Sequence, residues 1–596
     1  MIATVTATPE ASAVPSAAAT QATPIPPAPG WLEELERRRA ARANHFFVLH
    51  GNVADYVYDG QTRPYRLPSY VARYLEATGC QRLGSFSLSR GLVWIDTTRP
   101  APAVPRGAEP APAAGPLLEE LGRLERDLAA AGDAPTAVIL ENLEHIAPAS
   151  GAAPDHQTMS AREILTRLAL DDRLRAANIA LIGLCGSLDA VAPALLEAPG
   201  GVAPIAVPLP RPAERRQYVE YLAAGAHAVG LAPLAPDLTV DVLVNMSQGV
   251  TLAGLDGLNR AAHVAAEPIT AGQVRAHKRE AIERQSKGIL EEIAPRYGFD
   301  TIGGLAHVIA YLRTVVEHLR TRHTEALPKG ILLAGPPGTG KTLIAEALAK
   351  EAGFNLVRLG DIRSMWIGES ERNLSRALDL LLDLEPVVVF VDEVDQMIGK
   401  RDSGWNGDSG VSARIFGRIL NFMGKNEHRG RVVWVAATNR PDLLDEAMIR
   451  RFDRVFPFFV PGPRERTRIL EVMPKITGVA YEAATPLARV TEATEGLTGS
   501  ALEGIVRRAR ELAWPKAVAE ADLLAAVDDY KPNHDPAVYR LQSLLALNAA
   551  NLFSSLPPTE DLPEEIAEVV TEMRRQCSAA PLHQRLAALR RQGVQA

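Results

Sequence analysis

The sequence predicts an α/β protein built on parallel sheets, and three observations carry that prediction. Short apolar runs of strand length alternate with helical patterns along most of the 596 residues. One such run, Gly330-Ile331-Leu332-Leu333-Ala334, feeds a glycine-rich loop that opens a helix. The layout also occurs twice, at a nearly constant offset.

A chain of this length exceeds one hydrophobic core, so two to four domains are expected. The net charge of −7 leaves no overall nucleic-acid footprint. Cys80, Cys185 and Cys577 are widely spaced and form no metal or redox motif, which suits a reducing cytoplasm. The first basic residue is Arg37, so no positively charged leader region is present, and no apolar run is long enough to span a bilayer. A cytoplasmic protein with no membrane partner is expected.

Residues 1–30 are rich in Ala, Pro and Thr and are expected to be disordered, because they lack apolar bulk to offset ordering entropy. Strands are expected at 45–53, 92–96, 138–140 and 179–182, with helices at 67–78 and 117–131 and an exposed Pro/Ala-rich insertion at 97–115. Residues 269–296 are charged and helical with no strand signal and read as a linker helix. A second α/β block follows over 297–462, with strands at 331–334, 355–359, 387–391 and 432–436. Residues 463–532 are helical, and 533–596 are a further helical extension.

The internal repeat rests on three matches. Val389-Phe390-Val391-Asp392-Glu393 overlies Val138-Ile139-Leu140-Glu141-Asn142, and Pro461-x-Pro463-x-Glu465-Arg466 overlies Pro210-x-Pro212-x-Glu214-Arg215, both at an offset of 251. Glu495-Gly496-Leu497-Thr498 overlies Gln248-Gly249-Val250-Thr251 at 247. The copies differ in chemistry. The first, over 31–268, has no GxxxxGK[ST] and carries Asn142 where the second carries Glu393. It should not hydrolyse nucleotide.

The second copy concentrates the chemistry. Its loop runs Gly335-Pro336-Pro337-Gly338-Thr339-Gly340-Lys341-Thr342. The glycines allow backbone N–H groups to converge on phosphate oxygens, and the following helix adds its positive end. Lys341 supplies a point charge to the β/γ-phosphates, and the Thr342 hydroxyl is a ligand for Mg2+. The strand ending in Asp392-Glu393 offers one carboxylate to hold Mg2+ through water and another to polarise an attacking water. Asn439, ending the strand 433–438, is placed to contact the γ-phosphate or that water.

Together these motifs resemble an AAA ATPase domain of the AAA+ superfamily, over about 299–530. The implied fold is a P-loop parallel sheet with flanking helices and a small helical lid, preceded here by a degenerate AAA-like module. Phe299 to Gly304 resembles the segment lining the adenine pocket, which implies nucleotide contacts from Ile302 and Gly303 beside those of Pro337, Gly338, Thr339, Gly340, Lys341, Thr342 and Leu343. Glu495 to Ala501 resembles the lid motif, which places Gly499 and Ala501 near adenine and ribose. Asp445 to Arg454 resembles the second region of homology, with Arg451 and Arg454 as arginine fingers acting on a neighbouring subunit's nucleotide; the usual two-residue insert before the first is shortened here. Met365 to Glu369 resembles the first pore loop, with Trp366 and Ile367 gripping an extended polypeptide. The whole layout is similar to bacterial and plastid-type AAA proteins. The resemblance implies ATP and Mg2+, a self-associating ring, commonly a hexamer, and an ATP-hydrolysing activity that remodels or unfolds a protein substrate. An ATP-gated assembly scaffold without threading is the alternative, and the acidic balance counts against a nucleic-acid motor.

Overall fold

A computed structural model describes residues 29–58, 60, 63–95, 116–132, 134–149, 155–198, 200–225, 229–321, 323–360, 369–397, 409–483, 485–532 and 535–594. The expectations for residues 1–28 and 97–115, and for Trp366 and Ile367, lie outside those residues. The chain divides into two compact units, the first ending at Val207 and the second starting at Pro208.

The first unit holds β1 (Phe46–Gly51), β2 (Tyr56–Val57), β3 (Tyr65–Arg66), β4 (Arg82–Ser87), β5 (Gly91–Ile95), β6 (Thr136–Leu140), β7 (Ile179–Cys185) and β8 (Val202–Val207). Its six-stranded sheet runs β5-β4-β6-β7-β1-β8, parallel except for β5. Helices cover both faces: Phe46 and Val48 enter one core, Phe47 and Leu49 the other. Strands β6 and β7 are buried throughout, which is why they read as unbroken apolar runs. Strand β4 (RLGSFS) and edge strand β8 carry polar or alternating sequence and gave no comparable signal.

The second unit begins with four helices, Pro212–Ala223, Val240–Met246, Leu252–Ala265 and Ala271–Gln285. Strands β9 (Leu290–Ile293), β10 (Gly330–Ala334), β11 (Asn355–Leu359), β12 (Val387–Val391), β13 (Val432–Thr438) and β14 (Arg454–Pro457) follow. The sheet order is β14-β10-β13-β12-β11-β9, parallel except for β9. Four more helices form a lid, Pro463–Thr477, Ala488–Ala493, Gly499–Ala513 and Glu520–Asp529, and a C-terminal segment adds Pro536–Ala549, Glu564–Gln576 and Ala580–Arg591.

The two sheets share one order, with β8, β1, β7, β6 and β4 standing where β14, β10, β13, β12 and β11 stand. The likeness reaches single residues. Asn142 and Glu393 both take left-handed backbone, at φ +54° and +46°. Arg215 donates to Pro210 O and Val244 O, and Arg466 donates to Pro461 O and Thr491 O. In each copy a parallel bridge, Leu234 to Ile269 or Tyr481 to Val518, precedes the fourth helix.

One expectation needs correction. Residues 269–296 are not helix alone. A capping box at Thr270 and Gln273 starts the helix Ala271–Gln285, and Leu290–Ile293 leaves it as a strand antiparallel to β11. Burial alternates along β9: Leu290 and Glu292 face inward and Glu291 outward. Glu292 is accepted there because its carboxylate lies 3.6 Å from the Lys278 ammonium. The helix occupies the place in the first copy that Glu520–Asp529 occupies in the second.

Candidate active site

Strand β10 is fully buried and ends where the loop begins. Gly335 takes φ +147°, and a Cβ there would lie 2.2 Å from Phe458 O, so only glycine fits. The loop then turns through Gly338 and Gly340, both at positive φ, and Gly340 caps the helix Lys341–Ala352. This chain path delivers Lys341, 8% exposed, into the loop's own cradle. Its ammonium donates to Gly335 O at 2.8 Å, Pro336 O at 2.7 Å and Asn439 Oδ1 at 2.8 Å. Burial pulls its pKa down to about 8, against an upward pull from Asp392, Asp395 and Glu393.

The carboxylates come from the neighbouring strand ends. Strand β12 is buried along its length and breaks at Asp392 and Glu393, both exposed toward the loop. Asp392 Oδ1 accepts from the Glu393 N–H at 3.0 Å, and Glu393 Oε2 accepts from Gln396 Nε2 at 2.6 Å. Strand β13 ends at Thr438, whose hydroxyl donates to Asp395 at 2.6 Å and fixes the turn that carries Asn439.

These groups open on a cavity of about 480 Å3. Its wall takes in Ile302 and Gly303, the loop residues Pro337 to Leu343, Asp392, Glu393 and Asn439, and Gly499 from the lid. Gly303 lies so close to the lid that a Cβ would sit 2.4 Å from Ile469 Cα. Ala501 is not on the wall; it is buried in the lid core one turn inward from Gly499. Arg451 and Arg454 also lie away from this cavity. Arg451 is exposed, while Arg454 stacks over the Tyr311 ring at 5.1 Å and donates to Ser554 Oγ at 3.4 Å. Among the described lining residues Lys341 is the one cation.

The structure adds wall residues that sequence reasoning missed. Glu465 accepts from Leu305 N at 3.1 Å, tying the opening segment to the lid, and burial pushes its carboxyl upward. Its signal was present, since Glu three residues after Gly462 is capping chemistry, but capping does not announce a cavity. Phe459, Ile469 and Met473 close the apolar side, the last two on one face of the helix Pro463–Thr477.

The cradle fits a polyphosphate: converging glycines, a helix start and a buried ammonium. Thr342 and Asp392 supply hard oxygen donors on the same wall, which fits Mg2+. In the first unit the corresponding turn after β1 holds Asp55, 3% exposed, accepting from Tyr56 N at 2.7 Å and Asn52 Nδ2 at 3.0 Å. A buried carboxylate there is the reverse of a phosphate cradle.

Comparison with known proteins agrees with this geometry. Residues 331–460 match the family model "ATPase family associated with various cellular activities (AAA)", and residues 16–208 match "AAA+ chaperone, N-terminal Rossmann-like domain". Protein SAV of Sulfolobus acidocaldarius is 32% identical over 413 residues, covering 63% of this chain and 51% of that protein. The Cell division cycle protein 48 homolog of Archaeoglobus fulgidus is 29% identical over 414 residues, 64% of this chain and 55% of its own length. The Proteasome-activating nucleotidase of Pyrococcus horikoshii is 34% identical over 266 residues, 42% of this chain and 65% of its own. The chain thus spans about half the length of the first two relatives. Loop, sheet order and both family models converge: this chain carries an AAA ATPase domain of the AAA+ superfamily, preceded by an AAA+ chaperone N-terminal domain.

Proposed function

We propose that the chain hydrolyses ATP in the second copy, assembles into a ring, commonly a hexamer, and uses the cycle to remodel or unfold a protein substrate. The observation that carries the ring is the cavity's single cation. Three phosphates carry more charge than Lys341 can meet, and the exposed Arg451 points to a site other than its own chain's. Lys341 and the loop N–H groups hold the phosphates, Glu393 takes the proton of the attacking water, and Asn439 orients that water. Bound Mg2+, held by Thr342 and through water by Asp392, would neutralise phosphate charge. Arg451, with Arg454 behind it, completes a neighbour's site. Ile302, Gly303 and Gly499 line the base end. Trp366 and Ile367 are the proposed substrate grip, and the first copy, with Asn142 and Asp55 in place of the catalytic groups, is proposed not to hydrolyse nucleotide. A cytoplasmic setting belongs to the same proposal.

The test is ATPase rate against protein concentration. Specific activity is expected to climb with concentration as rings form. Glu393→Gln should lower kcat at least about 10²-fold, and Arg451→Ala about 10³-fold. Activity independent of concentration and indifferent to Arg451→Ala would sink the ring. Trp366→Ala should keep the ATPase and lose remodelling; a scaffold would be unaffected in both.

A further inference from the structure

The C-terminal segment has a core of its own, around Leu544, Val569 and Leu582, and that core also takes in Phe459. Phe459 belongs to the ATPase cavity wall, so the segment reaches the site through one shared side chain. A closer contact lies along β14. This strand is the sheet edge, so the backbone groups on its outer side have no strand to pair with. Asn551 takes them. Its Oδ1 accepts from Val455 N at 3.4 Å, and its Nδ2 donates to Asp453 O at 3.2 Å. The two bonds grip the chain on either side of Arg454. Three residues later Ser554 Oγ accepts from Arg454 Nη1 at 3.4 Å, with the guanidinium stacked on Tyr311. Asp453 is fixed from the other side by Lys329 N at 2.6 Å and Arg429 Nη2 at 3.4 Å. Every residue from Asp453 to Val455 is therefore anchored, and Arg451 projects from the turn just before them.

We infer that Asn551 and Ser554 are positioning residues for catalysis: they hold the segment 451–455 so that Arg451 is presented in one orientation to a neighbouring subunit. The inference rests on the ring proposed above. Its physical basis is the steep dependence of transition-state stabilisation on placement, where an error of ~1 Å costs about 10²-fold in rate. Neither residue touches the nucleotide cavity, so binding of ATP to the subunit's own site should be spared.

The experiment uses the full-length protein. Asn551→Ala, Asn551→Asp and Ser554→Ala are assayed for kcat, for Kd of a fluorescent ATP analogue, and for melting temperature. Each is then mixed with Glu393→Gln subunits, whose own sites are inactive but whose arginine segments are intact. Asn551→Ala is expected to lose about tenfold or more in kcat with Kd within twofold. Ser554→Ala should lose less, and Asn551→Asp, which keeps only the acceptor, should fall between. Mixing with Glu393→Gln should restore rate above either parent, because the defect lies in what a subunit gives its neighbour. Arg451→Ala mixed with Glu393→Gln is the reference. If the reference mixture recovers and the Asn551 and Ser554 mixtures do not, or if those variants keep wild-type kcat, the positioning role is wrong. If the reference itself fails to recover, sites are not shared between subunits, and the ring and this inference fall together. Should Asn551→Ala not fold, Asn551→Asp and Ser554→Ala decide the question.

Discussion

Lys341 has to be buried and charged at once. Its pKa of about 8 lies below the ordinary lysine value because burial outweighs three nearby carboxylates. Two opposite pH trends follow. A phosphate chain is attracted only to the ammonium, so nucleotide affinity should be level below about pH 8 and weaken toward tenfold per unit above it. Stability runs the other way. The folded-state pKa is depressed, so the unfolded chain binds more protons between about 8 and the normal lysine value, and stability rises with pH across that window. Lys341→Met should flatten both trends, weaken binding and raise the melting temperature at neutral pH. Titration of nucleotide Kd and melting temperature from pH 7 to 9.5 checks this; a wild-type Kd flat across that range would refute it.

At the scale of elements, the two lids are held by the same device. Arg466, 5% exposed, donates to Pro461 O at 3.0 Å and to Thr491 O twice at 3.1 Å, so one guanidinium joins the hinge to the second lid helix. Arg215 does the same in the first copy, and burial lowers its pKa to about 10. Truncation strands buried carbonyls. Arg466→Ala should cost about 2–4 kcal/mol in denaturant unfolding and speed nucleotide release, because the lid then swings on a loose hinge. A loss under ~0.5 kcal/mol would show that water takes the guanidinium's place. The sequence motif Pro-x-Pro-x-Glu-Arg marked both lids correctly as copies. It did not disclose that its arginine is a tie and its Glu465 a cavity wall, since both facts depend on partners 25 and 160 residues away.

At the scale of the molecule, the first copy's lid is part of the second copy's core. Leu209, Ile282, Ile289 and Leu290 pack with Val357, Leu374, Leu381 and Val389. A polar seam runs beside them. Asn355 Nδ2 donates to Gln248 Oε1 at 3.0 Å and to Leu384 O at 2.8 Å, and its Oδ1 accepts from Lys278. Gly249 lies so near Leu384 that a Cβ would sit 2.4 Å from its methyl carbon. A fragment cut at 297, where sequence reasoning starts the ATPase block, loses all of this and bares the β11 edge. It should aggregate, whereas 208–596 should be monodisperse and unfold cooperatively. Burial of Ile282 and Leu290 alone is worth roughly 1.5–3 kcal/mol each. Light scattering and thermal melts of the two fragments decide the point; a well-behaved 297–596 would show that the seam contributes little.

The sequence by itself determined what is written in consecutive residues. Strand, glycine loop and helix at 330–352 follow from hydrophobic period and positive-φ glycines, and the repeat follows from strings such as Val138 to Asn142 and Val389 to Glu393. Tertiary structure alone decided the rest. Glu292 reads as helix surface until Lys278 neutralises it inside the sheet edge. Phe459 becomes a cavity wall only when the hinge folds over the loop. Ala501 leaves the cavity for the lid core. Asn551 meets Asp453 across 98 residues. Backbone preference and periodicity act over one or two turns, whereas a wall or a brace is a contact between distant segments, and only packing chooses which segments meet.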